Sequence, residues 1–215
     1  MIMPPRICAV CGSTALVLVS LAGCSRNDTP ASPQATNQSP ASAPATERVV
    51  GPLTPADAAA LGTMNARLRE YVDLHIKLEA GLPPLPVDAT PEQIDSNQRT
   101  LEQRVREARA TAKAGDLFTP DADPVIRSLI AAAFRADGGI QLKASILDDN
   151  PSSTRVGVNA RYPDSVPVST VPPQLLQTLP KLSEDLEYRF IGQHLIILDV
   201  HAHVVADVLE NVFPR

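Results

Sequence analysis

The sequence predicts an α+β domain in which three to four amino-terminal helices pack on a small carboxy-terminal antiparallel sheet. Three observations predict it. Between Leu53 and Leu147 apolar residues recur at spacings of three and four; beyond Asn150 the spacing drops to two; and the helical segments all precede the strands, with no βαβ alternation. The chain has 215 residues, 44% of them hydrophobic and 20% charged, enough to bury one core. A formal net charge of −5 excludes a nucleic-acid surface, which needs a concentrated positive field.

Residues 1–52 stand apart from that domain. Arg6 precedes an apolar run from Ile7 through Leu18, interrupted at Gly12, Ser13 and Thr14 and followed by Leu21-Ala22-Gly23-Cys24. The run is too short and broken for a spanning helix, which takes about 20 apolar residues, and reads as an export signal. All three cysteines fall here. Leu21-Ala22-Gly23-Cys24 resembles the lipobox of bacterial lipoproteins. The resemblance implies cleavage between Gly23 and Cys24, a diacylglyceryl group on the Cys24 thiol, and anchoring in the lipid bilayer, which is the first expected partner. In that family an Asp after the cysteine favours inner-membrane retention. Ser25 stands there, so the implied placement is the outer membrane, facing the periplasm, with inner-membrane or cell-surface anchoring as alternatives. Cys8-Ala9-Val10-Cys11 has the spacing of a redox or zinc pair but lies in the segment expected to be removed. The domain boundaries are therefore 1–23 for the signal, 24–52 for the lipidated cysteine and tether, and 53–215 for the folded part. Of the 22 residues from Ser25 to Thr46, 16 are Ser, Thr, Pro or Ala, and none is Val, Leu, Ile or aromatic. Such a stretch predicts a flexible tether with a reach of roughly 25–30 Å.

Thr54-Pro55, Thr90-Pro91 and Thr119-Pro120 each predict a helix start, since a Thr hydroxyl caps a first-turn amide and Pro at the first helical position loses no needed donor. The first helix carries Leu61, Met64, Leu68, Tyr71, His75 and Leu78 on one stripe and stops near Gly81. The second has Gln93 completing a capping box with Thr90. It buries Ile94, Leu101, Val105, Ala108 and Ala112, exposes Glu102 and Arg106 on a mixed-charge face, and ends at Gly115. Leu117 and Phe118 plug the core between helices. The third helix buries Val125, Ile126, Leu129, Ile130, Ala133 and Phe134 and stops at Gly138-Gly139, with a short helical piece from Gln141 to Leu147 after it.

Arg155 to Arg161 alternates and predicts a strand, and a short helix falls near Pro173 to Gln177. Leu186 to Ile191 and His194 to Val200 predict a hairpin turning at Gly192-Gln193, with a third strand from Val204 to Leu209. Pairing Ile191 with His194 sets Leu186 opposite Asp199, Tyr188 opposite Ile197 and Glu184 opposite His201. Leu186, Tyr188, Phe190, Leu195 and Ile197 then form the core face. Leu186–Gly192, Ile197–Val200 and Val205–Asp207 resemble the end of a group of uncharacterised bacterial envelope proteins, to which residues 50–215 as a whole are similar. That likeness implies the architecture and no activity.

Asp199-Val200-His201-Ala202-His203 resembles the Asp-x-His-x-His metal motif of the amidohydrolase family. Residues two apart on a strand share a face, so two imidazoles there can share a metal that activates water. The family's barrel takes about 250 residues and draws further ligands from later strands, whereas 12 residues follow His203 in this sequence. The expectation is therefore a polar turn with Asp199 bonded to local amides. A metal site or metal-dependent hydrolase of Asp199, His201 and His203, with Glu184 as a further candidate member, is the runner-up. His75 reads as a packed helix histidine, and the pairs Asp148-Asp149 and Glu184-Asp185 as loop or helix-end charges. No nucleophile elbow, phosphate loop or dinucleotide fingerprint occurs. No catalytic residue or cofactor is expected. The reading is a non-enzymatic binding or structural module in the envelope, acting with a protein partner there.

Overall fold

Helices come first and strands last in the computed structural model, which describes residues 53–149, 156–166 and 171–213. Five helices, α1 (Pro55–Glu79), α2 (Pro91–Ala108), α3 (Ala122–Arg135), α4 (Gly139–Asp149) and α5 (Pro173–Leu176), precede β1 (Leu186–Ile191), β2 (His194–Asp199) and β3 (Val204–Leu209). This is the expected α+β arrangement. Cys8, Cys11, Gly23, Cys24 and the tether lie outside the described residues, as does Arg155. Among the described residues no helix is long and apolar enough to cross a membrane.

Two of the three Thr-Pro starts are capping boxes. The Thr54 hydroxyl accepts the Asp57 amide at 3.1 Å while the Thr54 amide donates to the Asp57 carboxylate at 3.0 Å. Thr90 and Gln93 exchange the same pair of bonds at 2.8 and 3.3 Å. Thr119 differs from expectation. Its carbonyl, not its hydroxyl, receives the amides of Ala122 and Asp123, the helix starts two residues later, and the buried hydroxyl makes no hydrogen bond.

On α1 the predicted stripe is the buried one, with Met64, Leu68, Tyr71 and His75 facing inward. α2 corrects the sequence reading in three places. It ends at Ala108 rather than near Gly115, because the Asn159 side-chain amide donates to the carbonyls of Arg106 and Arg109 and closes the helix there. Ala112 thus lies beyond the helix, and two residues assigned to its buried face do not belong there, Ile94 being half exposed and Ala108 exposed. Glu102 is buried, gripped by Arg106 at 3.1 Å and by Arg161 at 2.9 Å. Gly138 takes φ 78° to turn α3 into α4, and at Gly139 a Cβ would stand 2.3 Å from the Phe134 carbonyl oxygen.

The sheet order is β1-β2-β3, antiparallel throughout, with Leu186 opposite Asp199, Tyr188 opposite Ile197 and Ile191 opposite His194, as the two-residue turn requires. Between β2 and β3 the register shifts. Ile197 faces Asp207 and Leu198 faces Val205, so Ala206 bulges out of the ladder.

Both faces of the sheet are buried. Leu186, Tyr188, Phe190, Leu195 and Ile197 pack against the helices, together with the plug residues Leu117 and Phe118. Ile191, Ile196, Leu198, Val205 and Val208 pack beneath Tyr162 and Val166. Val156 and Val158 extend that cover from the segment read from sequence as a strand, Arg155 to Arg161. Over its described part that segment is instead a turn, with Asn159 at φ 61°, touching β3 through one antiparallel bridge between Arg161 and Val204. The amides of Asn159 and Tyr162 bond the carbonyls of Val205 and His203, which screens the outer edge of β3.

Candidate functional site

β2 ends at Asp199, and the turn after it decides where three polar side chains go. Asp199 is wholly buried, and its Oδ1 accepts the Ala202 amide at 2.8 Å, the local turn bond expected from sequence. Its Oδ2 reaches back to α1, accepting the Tyr71 hydroxyl at 2.7 Å and standing 2.7 Å from His75 Nδ1. A carboxylate can only accept, so Nδ1 carries the imidazole proton and Nε2 is left to point elsewhere.

His75 is 1% exposed. Its Nε2 makes no hydrogen bond, and Glu79 Oε2, one helical turn along α1, stands 3.6 Å away, beyond bonding range. Burial pushes the His75 pKa down, but the bond and charge of Asp199, with Glu79 and Asp185 adding to them, carry it upward overall. On the far side of Glu79 is His201, whose Nδ1 lies 3.1 Å from Glu79 Oε1 and whose ring centroid is 5.6 Å from that of His75. The side chains of Glu79 and His201 are 43% and 50% exposed, so the group has one dry wall and one wet one. Ligand atoms of His75, Glu79 and His201 all lie within 4.8 Å of one another.

His203 goes elsewhere. Its backbone takes φ 56°, its ring meets the edge of Tyr162 at 5.5 Å, and its Nε2 is 3.8 Å from Asp164 Oδ1. Burial and the Arg161 guanidinium hold its pKa below the usual imidazole value. The structure thus sends Asp199 inward to α1, His201 outward to Glu79 and His203 to Tyr162. The shared face inferred for the three required a continuing strand, and Val200 to His203 is a turn, where period two no longer applies. Glu184 is exposed and precedes β1, whose pairing begins at Leu186. His194 accepts the Asn211 amide at the opposite end of β2.

A second buried carboxylate, Asp207 on the bulged stretch of β3, is wholly tied up in backbone bonds. It accepts the amides of Gly115, Leu117, Phe118 and Val208 at 2.7 to 3.1 Å. Burial pushes its pKa up, and the four amides only partly oppose that. Gly115, at φ 89°, is therefore the turn residue of a loop wrapped on Asp207 rather than a helix cap.

Sequence reasoning missed the meeting of His75 and Glu79 with His201. The available signal was His75-x-x-x-Glu79, two potential ligands one helical turn apart on a predicted helix. No protein-family model, curated protein or solved structure matches this chain.

Proposed function

We propose that this chain is a membrane-anchored envelope lipoprotein, held in the outer membrane through an acylated Cys24, with a folded domain that acts in the periplasm as a non-enzymatic binding or structural module. The observation that carries the anchor is Leu21-Ala22-Gly23-Cys24 after an apolar run and before a stretch of Ser, Pro and Ala. The non-enzymatic reading is supported by the two wholly buried carboxylates. Asp199 and Asp207 are saturated by donors from helix, turn and loop, so they fasten the fold and are not poised to take a proton from a substrate. A hydrolase centred on Asp199, His201 and His203 has no support in the geometry, since those side chains serve three different neighbourhoods. The Ser-, Pro- and Ala-rich composition of residues 25–46 supports a tether in this reading, with a protein partner in the envelope as what the domain meets.

The test is labelled fatty acid uptake and membrane fractionation of the intact chain and of Cys24→Ala. The wild type should carry the label and sediment with the outer membrane. Persistence of label and membrane association in Cys24→Ala would sink the anchor reading.

A further inference from the structure

We propose that His75, Glu79 and His201 form a binding site for a borderline divalent transition metal ion, zinc foremost, with Asp199 and Tyr71 as its supporting shell. The inference deepens the binding-module reading by naming a ligand for it, and is independent of the anchor at Cys24.

The first argument is the bare Nε2 of His75. A buried polar atom without a partner is costly, and this one lies in a wholly dry side chain whose other nitrogen is fixed by Asp199. A lone pair held in place and turned toward a carboxylate is what a metal ligand presents before the ion arrives. The second is the support behind it. Asp199 sets the tautomer of His75 and increases electron density at Nε2, and Asp199 is itself oriented by the Tyr71 hydroxyl and the Ala202 amide. The carboxylate–histidine–metal relay recurs at zinc sites because it orients the ring and raises its basicity.

The third argument is spacing. Ligands at about 2.0–2.1 Å around a tetrahedral ion stand about 3.3 Å apart. Glu79 sets Oε2 3.6 Å from His75 Nε2 and its other oxygen, Oε1, 3.1 Å from His201 Nδ1, so one oxygen faces each imidazole near that figure and a small carboxylate rotation brings a single oxygen between the two. Glu79 and His201 are half exposed, so small rotamer changes can draw together ligand atoms that already lie within 4.8 Å of one another, without disturbing the core. Two imidazoles with one carboxylate suit zinc, nickel or copper rather than magnesium or calcium, which prefer all-oxygen shells. Three protein ligands leave one position open on the wet side, where solvent or a partner's side chain completes the shell. An ion there clips the last turn of α1 to the turn between β2 and β3, which are more than 120 residues apart in sequence.

The test uses the untagged chain from Cys24 onward, which lacks the Cys8–Cys11 pair, purified in detergent, stripped with a chelator and equilibrated with zinc chloride, with elemental analysis after dialysis. About one zinc per chain is expected, with a rise in the unfolding midpoint on zinc addition. Glu79→Gln and His201→Ala alter half-exposed side chains, so each should retain its far-UV circular dichroism. Each should weaken zinc binding by at least roughly 10- to 100-fold, the loss that removing even a supporting group produces. His203→Ala should bind as the wild type does. Cobalt substitution should give a tetrahedral visible spectrum that is lost in His201→Ala. Substoichiometric zinc in the wild type, or unchanged affinity in both folded ligand variants, would overturn the site. Either result would leave the lipid-labelling outcome untouched, so the two proposals fail separately.

Discussion

Asp199 and Tyr71, 128 positions apart in the chain, are joined by a buried 2.7 Å hydrogen bond that fixes α1 to the end of β2. His75 leans on the same oxygen. Replacing Asp199 by Ala strands the Tyr71 hydroxyl and His75 Nδ1 without an acceptor, and should destabilise the domain by about 3–5 kcal/mol. Tyr71→Phe removes one bond to a charged group and should cost about 1.5–3 kcal/mol. Urea unfolding curves at constant slope check both, and equal losses in the two variants would contradict the shared-acceptor account.

Asp207 makes a parallel prediction on β3, where it faces Ile197. Asp207→Asn keeps the shape but removes the charge and turns one acceptor into a donor facing amides. It should cost about 2–4 kcal/mol, with early hydrogen exchange at Leu117 and Phe118. Unchanged protection of those two amides would show that the loop is held by packing alone.

The three Thr-Pro pairs should respond unequally. Thr54→Ala and Thr90→Ala each remove a capping bond, worth about 1 kcal/mol. Thr119→Val replaces an unpaired buried hydroxyl with a methyl of the same shape, so stability should hold or rise slightly. Comparison of thermal midpoints separates the three.

All three tyrosines of the chain resist ionisation, and it has no tryptophan to obscure them. Burial raises the pKa of Tyr71, with Asp199 adding to it. Burial also raises Tyr188, and it raises Tyr162 against the opposing pull of Arg189. A folded-state pKa above the unfolded value of 10.0 contributes stability that is present below that pH and lost as pH climbs through the folded pKa. Tyrosinate absorbance should therefore stay low at pH 10 in the native protein and appear together with alkaline unfolding. A plain titration near pH 10 in the folded state would refute the burial argument.

The elements governed by local chemistry were legible in the sequence. The α1 stripe follows from spacing, the first two helix starts from Thr-Pro with a partner three residues on, and the hairpin register from a two-residue turn with Gly192 at φ 55°. What failed was settled by distant residues. Asn159 shortened α2 and replaced the expected strand with a turn between Val156 and Arg161, because its side chain bonds carbonyls some fifty residues earlier. Glu102 looked like a solvated charge until Arg161 covered it. At the candidate site, His75 was correctly placed on a buried helix face. Its Asp199 partner is 124 residues away and no spacing rule reaches that far. His201 and His203 were grouped by a strand rule that lapses where β2 ends.

The long-range ties also set an order of assembly. Tyr71, His75 and the amides of Leu117 and Phe118 all find their acceptors on β2 or β3. A chain delivered amino terminus first has released every helix before the first of those acceptors emerges. Such non-local pairing slows folding, and it leaves the helical half holding unsatisfied donors until the final strands arrive. A chain truncated after Pro180 should remain open and protease-sensitive, and completion of the hairpin and β3 is the event that commits the whole domain to its fold.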